Sequence, residues 1–304
     1  MCELTQKSSK SKEEEFESKN VHAFYSNQAK SFSSTRYSLW PGIRKFIDTY
    51  YSEDVVFLDS GCGNGRNLMN GMYAMDYSKN LLFEAKSKIA TRIERFNFKA
   101  DDEYRIKKSE HKKQNASISK ISKNLANIQK NNYDNEIFLV QNFDQKIQNT
   151  HNDFIRGDIL NHPFNSETFD YIMSIAVIHH LSTRERRINA LKDMLRILKP
   201  KGKILLYVWS SDVSTQSKFS KIKGINSLNS MSQVGDIVDI KKRSGDYLVT
   251  WGKNNDSIRY YYLYDIETLR TDCKDVGFRI EEICIEQESI KAILSKEHEK
   301  IKNN

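Results

Sequence analysis

The chain has 304 residues, 48 Lys and Arg against 40 Asp and Glu for a net charge of +8, 38% hydrophobic residues and a mean hydropathy of −0.67. That length suits one α/β domain with insertions or two small domains, and the low apolar content predicts that part of the chain lies outside any core. No apolar run approaches the ~18 residues of a membrane span, the four cysteines form no CxxC pair of a disulfide scaffold or zinc site, and residues 1–20 lack the apolar stretch of a signal peptide.

The predicted elements alternate. Residues 1–20 read as a charged, disordered lead-in, and globular sequence follows from 21 to about 85. Residues 55–59 and 72–76 are short strands. Residues 86–152 are rich in Lys, Asn, Ser and Gln and contain no Gly, Pro or Cys, so a low-complexity insertion is expected there. Ile118, Ile121, Leu125 and Ile128 fall at helical spacing and leave a thin amphipathic helix as the alternative. Residues 153–156, 169–174 and 203–209 are three further strands. Between the last two lies a helix over 183–198, with Ile188, Leu191, Met194, Leu195 and Leu198 on one uncharged face. Residues 211–244 are irregular, order returns from 246 to 296, and 278–286 and 289–295 read as strands. A charged tail covers 297–304. Strand–helix alternation predicts a doubly wound, mostly parallel sheet. Ligands of such sheets bind beyond the carboxyl ends of the strands.

The sharpest motif is the turn Asp59-Ser60-Gly61-Cys62-Gly63-Asn64-Gly65 after the first strand. Its glycines let the backbone approach a ligand closely. The third glycine comes one residue too early for a dinucleotide fingerprint, and an acid stands where a diphosphate would be repelled. A cationic, phosphate-free ligand suits the turn, and S-adenosylmethionine has that chemistry. Asp76 at the end of the second strand is placed for ribose hydroxyls. Asp158 is placed for an adenine amine, with Ile159 against the ring. The paired histidines His179 and His180 have no third and fourth ligands at metal spacing, so no metal is expected.

This ordered set resembles the class I adenosylmethionine-dependent methyltransferases. The segments Thr35-Arg36-Tyr37-Ser38-Leu39-Trp40-Pro41, Ser174-Ile175-Ala176-Val177-Ile178-His179-His180 and Thr183-Arg184-Glu185-Arg186-Arg187 narrow the resemblance, as does Arg259-Tyr260-Tyr261-Tyr262-Leu263-Tyr264. They look like the eukaryotic tRNA carboxymethyluridine methyltransferases, over roughly residues 20–85, 153–210 and 246–285. The resemblance implies a Rossmann-like, seven-stranded, mostly parallel sheet with the last strand antiparallel and helices on both faces. It implies formation of the methyl ester of 5-carboxymethyluridine at the tRNA wobble position, and a small zinc-binding activator subunit added along the sheet edge near the third strand. It implies cofactor contacts from Tyr25, Arg36, Asp59, Gly61, Gly63, Asn64, Gly65, Asp76, Tyr77, Asp158, Ile159, Ser174, Ile175 and Ala176. The family closes with a Trp-containing strand, where this chain has Ser289-Ile290-Lys291-Ala292-Ile293-Leu294. A cytoplasmic location, with the nucleus also allowed, goes with the resemblance.

A carboxylate acceptor is already ionised at neutral pH, so positioning matters more than proton transfer. Arg36 is placed to hold the acceptor's or the cofactor's carboxylate. His179, His180 and Arg184 complete the expected catalytic set, and Tyr37, Trp40, Arg184 and Arg187 the RNA contacts. Two alternatives stay open: a class I enzyme acting on a small-molecule or protein carboxylate, and a non-catalytic RNA-binding module. Residues 86–152 hold 14 Lys and Arg and 8 Asp and Glu, which is +6 of the +8. The local case for RNA is therefore the basic run from Arg184 to Lys203.

Overall fold

The computed structural model describes residues 10–35, 38–52, 54–91, 152–211, 225–227, 245–251 and 257–297. Seven strands form the main sheet: β1 (Phe57–Ser60), β2 (Tyr73–Asp76), β3 (Phe154–Arg156), β4 (Phe169–Ile175), β5 (Leu198–Trp209), β9 (Phe278–Glu286) and β10 (Ser289–Lys296). Their order is β3-β2-β1-β4-β5-β10-β9. The first five run parallel, and β10 lies antiparallel between β5 and β9. Every residue of β1 is buried, as expected for a central parallel strand covered on both faces.

The period-2 alternation of side chains assigns each face its helices. Phe57, Ala74, Met173 and Leu205 pack with Ile43, Phe46 and Ile47 of α4 (Pro41–Tyr50) and with Leu82 and Ala85 of α5 (79–91). Leu58, Met75, Ile172 and Leu206 pack on the other face with Ala190, Leu191 and Met194 of α6 (Arg184–Ile197) and Leu269 of α7 (Ile266–Val276). Trp40 delivers Pro41 to the first turn of α4, where its missing N–H costs nothing. Thr183 caps α6 by accepting from the Arg186 N–H. The departure in the closing strand leaves the sheet intact, because Ile290, Ala292 and Leu294 of β10 are fully buried.

Two sequence expectations change. Residues 12–20 are ordered. Ser11 and Glu14 form a capping box that starts α1 (Lys12–Glu17), a π-helical turn continues it through His22, and α2 (Ala23–Asn27) and α3 (Ala29–Ser33) follow. Their apolar face is too short to stand out in a Lys- and Glu-rich context, and it is completed by tertiary contacts with Tyr260 and Leu248. The second change is a small antiparallel sheet, β6 (Ile225–Ser227), β7 (Asp246–Trp251) and β8 (Ser257–Tyr262). Residues 1–9, nearly all of the expected insertion and most of 211–244 lie outside the described residues.

Glu17 fastens α1 to the main body. It is 1% exposed, and its carboxylate accepts from the Ser182 N–H at 2.7 Å, the Ser182 hydroxyl at 2.9 Å and Arg186 at 2.8 and 2.9 Å. Removing one partner of a buried pair leaves the other charge uncompensated. Glu17→Ala is therefore expected to lower unfolding stability by about 3 kcal/mol in urea titrations. A loss below about 1 kcal/mol would mean that the contact behaves as a solvent-exposed pair.

Candidate active site

The carboxyl ends of β1, β2 and β4 open onto a cavity. The glycine turn supplies Gly61, Gly63 and Asn64, and the strand ends supply Asp76, Ile175 and Ala176. Asp158 and Ile159 line it after β3. Glu17, His22 and Tyr25 of the N-terminal helices and Arg259 and Tyr261 of β8 complete the wall. The turn needs glycine at 61: φ is +83°, and a Cβ there would stand 2.3 Å from Val177. Ala176 also adopts a left-handed φ of 62°, a strained conformation stored in the cavity wall.

Two carboxylates sit at this turn with little access to water. Asp76 accepts from the Gly63 N–H and the Ser78 N–H, both at 2.8 Å, and burial still pushes its pKa up to about 6. Asp59 is fully buried behind the turn, and neither carboxylate oxygen has a hydrogen-bond partner. Desolvation raises its pKa to about 7, opposed by the charge of Arg66 and the neighbouring Asn67 amide and reinforced by Asp76. Ser60 and His162 anchor the turn from below. His162 Nδ1 lies 2.8 Å from Asp193, so that nitrogen donates and Nε2 accepts from the Ser60 hydroxyl at 2.8 Å. Ser60 and His162 are buried away from the cavity, so this Ser–His–Asp chain positions the turn.

The two histidines have different fates. His180 lies with Nδ1 2.8 Å from the Tyr260 carbonyl, so it donates there, and Nε2 accepts from the Tyr25 hydroxyl at 2.8 Å. Burial lowers its pKa to about 3, which keeps it neutral. With both nitrogens engaged, His180 does not meet the expectation of an acceptor-contacting group. His179 accepts from the Trp209 N–H at Nδ1, 3.1 Å away, which leaves the proton on Nε2. That Nε2–H is buried with no hydrogen-bond partner, in a side chain that lines the cavity. Burial holds His179 well below the usual imidazole range.

The structure brings Tyr25, Gly61, Gly63, Asn64, Asp76, Tyr77, Asp158, Ile159, Ile175, Ala176, Trp40 and both histidines to the cavity wall. Asp59, Gly65 and Ser174 stand behind it, and Ser174 is fully buried. Arg36 and Tyr37 lie outside the described residues. Arg184 is corrected: it is half-exposed and tied to Asp272 at 2.7 Å and Asp275 at 2.6 Å of α7, away from the cavity. Arg187 is corrected too. It is 4% exposed, its guanidinium sits 3.6 Å over Tyr262, and it donates to the Leu181 carbonyl, so it cannot reach a phosphate. The basic run is largely neutralised inside the protein. Arg186 pairs with Glu17, Arg196 with Asp193, Lys199 with Asp170 and Lys203 with Glu281.

Sequence reasoning missed Glu17, because its segment looked disordered, and also His22, Trp209, Tyr261, Arg66 and Arg259. Arg259 left a signal: a lone cation opening an aromatic strand, Arg259-Tyr260-Tyr261-Tyr262. The raised pKa of Asp59 gives a stability prediction. A carboxyl whose folded value exceeds its unfolded 3.8 stabilises fully below 3.8, and that contribution is lost as pH rises through about 7. Asp59→Asn is therefore expected to melt several degrees higher than the parent chain at pH 8, with the gap closing towards pH 4. An equal gap at both pH values in calorimetric melts would show that the carboxyl is not the cause.

The donor set suits S-adenosylmethionine: buried carboxylates for a cation, an acid after β2 for a ribose diol, and an acid beside an apolar side chain for an adenine. Comparisons with known proteins agree. The methyltransferase domain family matches residues 117–206. A protein of Encephalitozoon cuniculi (strain GB-M1), named as a methyltransferase, is 33% identical over 282 residues, covering 92% of this chain and 97% of that protein. The tRNA (carboxymethyluridine(34)-5-O)-methyltransferase of Mus musculus is 29% identical over 211 residues, which cover 68% of this chain but only 22% of the mouse protein. The solved structure of Burkholderia thailandensis 1,6-didemethyltoxoflavin-N1-methyltransferase, with bound S-adenosylhomocysteine, shares the fold at a TM-score of 0.53 and 10% identity, covering 96% of this chain and 93% of that one. With its seven-stranded sheet and its likeness along almost the whole Encephalitozoon protein, the chain belongs to the methyltransferase family and has the class I, S-adenosylmethionine-dependent fold.

Proposed function

We propose that the protein is an S-adenosylmethionine-dependent tRNA methyltransferase that forms the methyl ester of 5-carboxymethyluridine at the wobble position. The observation that carries this reading is the chemistry of one cavity. Carboxylates cluster at the glycine turn, while a buried arginine, a neutral histidine and stacked aromatic rings line the wall formed by β5, β8 and the turn after β4. The similarity to the mouse enzyme supports tRNA as the acceptor.

Asp76 and the glycine turn would hold the ribose end of the cofactor, Ile159 and Asp158 the adenine, and Asp59 would favour its cationic centre through the turn. When bound, S-adenosylmethionine supplies an electrophilic methyl group to a nucleophile. The proposed nucleophile is a carboxylate, which is anionic at neutral pH and needs no base. Both histidines are held neutral, which fits a site that orients and does not move protons. Tyr25 and the N-terminal helices line the cavity, and by displacing water there they would leave the carboxylate less solvated and quicker to attack.

The zinc-binding activator implied by the resemblance is part of the proposal. β3 is the terminal strand of the sheet, so its outer edge can accept an added strand. The test is mass spectrometry of nucleosides from tRNA of cells that lack the esterifying activity, after incubation with the chain, S-adenosylmethionine and the activator. The methyl ester of 5-carboxymethyluridine is expected to appear, and to fade when the activator is omitted. Unmodified tRNA under all conditions would refute the reading.

A further inference from the structure

We propose that Arg259 holds the carboxylate of the acceptor, with the His179 Nε2–H as a second donor and the Trp209–Tyr261 pair against the planar base. The inference rests on the reading above, that the acceptor is a base bearing a carboxylate.

The cavity must then receive two carboxylates, one from the methionine end of the cofactor and one from the acceptor. Among the described residues two arginines line it, Arg66 and Arg259, on different walls. Arg66 follows the glycine turn. Its guanidinium lies 5.0 Å over the Trp40 ring and its charge acts on Asp59. An amino-acid end carries an ammonium and a carboxylate on one carbon, so an acid and an arginine side by side match it. Arg66 lines the glycine-turn wall, and the charge of Asp59 lies behind that turn, so this wall matches such an end.

Arg259 stands on β8 and is 2% exposed. Its guanidinium is 4.3 Å over Phe24 and 5.2 Å over Tyr261, and it donates to the Tyr25 hydroxyl at 3.4 Å. His179 packs on the same Tyr261 ring, 5.2 Å between centroids. Its Nε2–H is a buried donor in this wall that no protein acceptor satisfies. A cation and a neutral N–H donor meeting at one aromatic ring form a site for an anion. Trp209 lines the cavity and stacks on the buried Tyr261 at 4.4 Å and 14°, which backs its flat ring for contact with an unstacked base. The guanidinium fork matches a carboxylate in two-point geometry, which a lysine ammonium does not reproduce.

The test uses the full chain with the activator, tRNA from cells lacking the esterifying activity, and S-adenosylhomocysteine as the probe of the cofactor subsite. Arg259→Gln is expected to lower kcat/KM for the tRNA by about 10²-fold, the usual consequence of removing one partner of a buried charged contact. Its affinity for S-adenosylhomocysteine, read by calorimetry, should stay within about threefold of the parent. Arg259→Lys should recover part of the lost kcat/KM. If Arg259→Gln does not fold, Arg259→Lys decides, with an expected rise in KM for the tRNA of about tenfold and unchanged S-adenosylhomocysteine affinity. An unchanged KM, or an S-adenosylhomocysteine affinity that falls tenfold or more, overturns the inference and in the second case places Arg259 at the cofactor's carboxylate. Parent chain that leaves the tRNA unmodified refutes the wobble reading itself, and with it the acceptor named here.

Discussion

The site depends on the burial of two carboxylates at one tight turn. Desolvation raises Asp59 to about 7 and Asp76 to about 6, so the protein holds a preformed demand for positive charge or hydrogen-bond donors. That demand destabilises the empty fold near neutral pH and is relieved by a ligand with a cationic centre and hydroxyls. The glycines around it exist for the same reason. Only a turn with left-handed residues brings backbone N–H groups, such as that of Gly63 to Asp76, close enough to keep one of the acids ionisable.

The rest of the architecture closes over this turn. The N-terminal helices and the small sheet meet at His180, whose two nitrogens join Tyr25 on one side to the Tyr260 backbone on the other. Glu17 ties the same helices to Ser182 and Arg186, one turn into the segment that follows the histidines. Segments distant in sequence thus share one set of buried polar contacts. Each contact costs desolvation and is satisfied only when all partners are in place, which favours a single arrangement of the roof. The same contacts explain why the basic residues of α6 are poor guides to RNA. Arg184, Arg186 and Arg187 are used to fasten α7, α1 and β8 to the body.

The main sheet was legible because its strands are short apolar runs separated by strong turn signals, and β1 with its glycines has little freedom to be anything else. Asp76, Asp158 and Ile159 were legible for the same reason: strand ends in a doubly wound sheet converge on one place. What could not be read was set by tertiary contact. Arg187 occupies the apolar face of α6 only because Tyr262 and the Leu181 carbonyl are there to receive it. Residues 12–22 are charged and short, and become helical against Tyr260 and Leu248. Periodicity distinguishes neither a buried arginine from an exposed one nor a docked polar helix from a tail. Arg259 reaches the cavity from β8 of the second sheet and Trp209 from the end of β5 in the main sheet, and their meeting there is set by how the two sheets pack.

The central claim is that the cation of S-adenosylmethionine relieves the buried carboxylates. Calorimetric titration of the chain with S-adenosylmethionine at pH 6.5, in two buffers of different ionisation enthalpy, tests it most directly. The raised values of Asp59 and Asp76 mean that protons sit on these groups before binding, so up to about one proton should be released per ligand bound, and Asp59→Asn should abolish most of that release. Binding with no proton release, or with the same release in Asp59→Asn, would contradict the account.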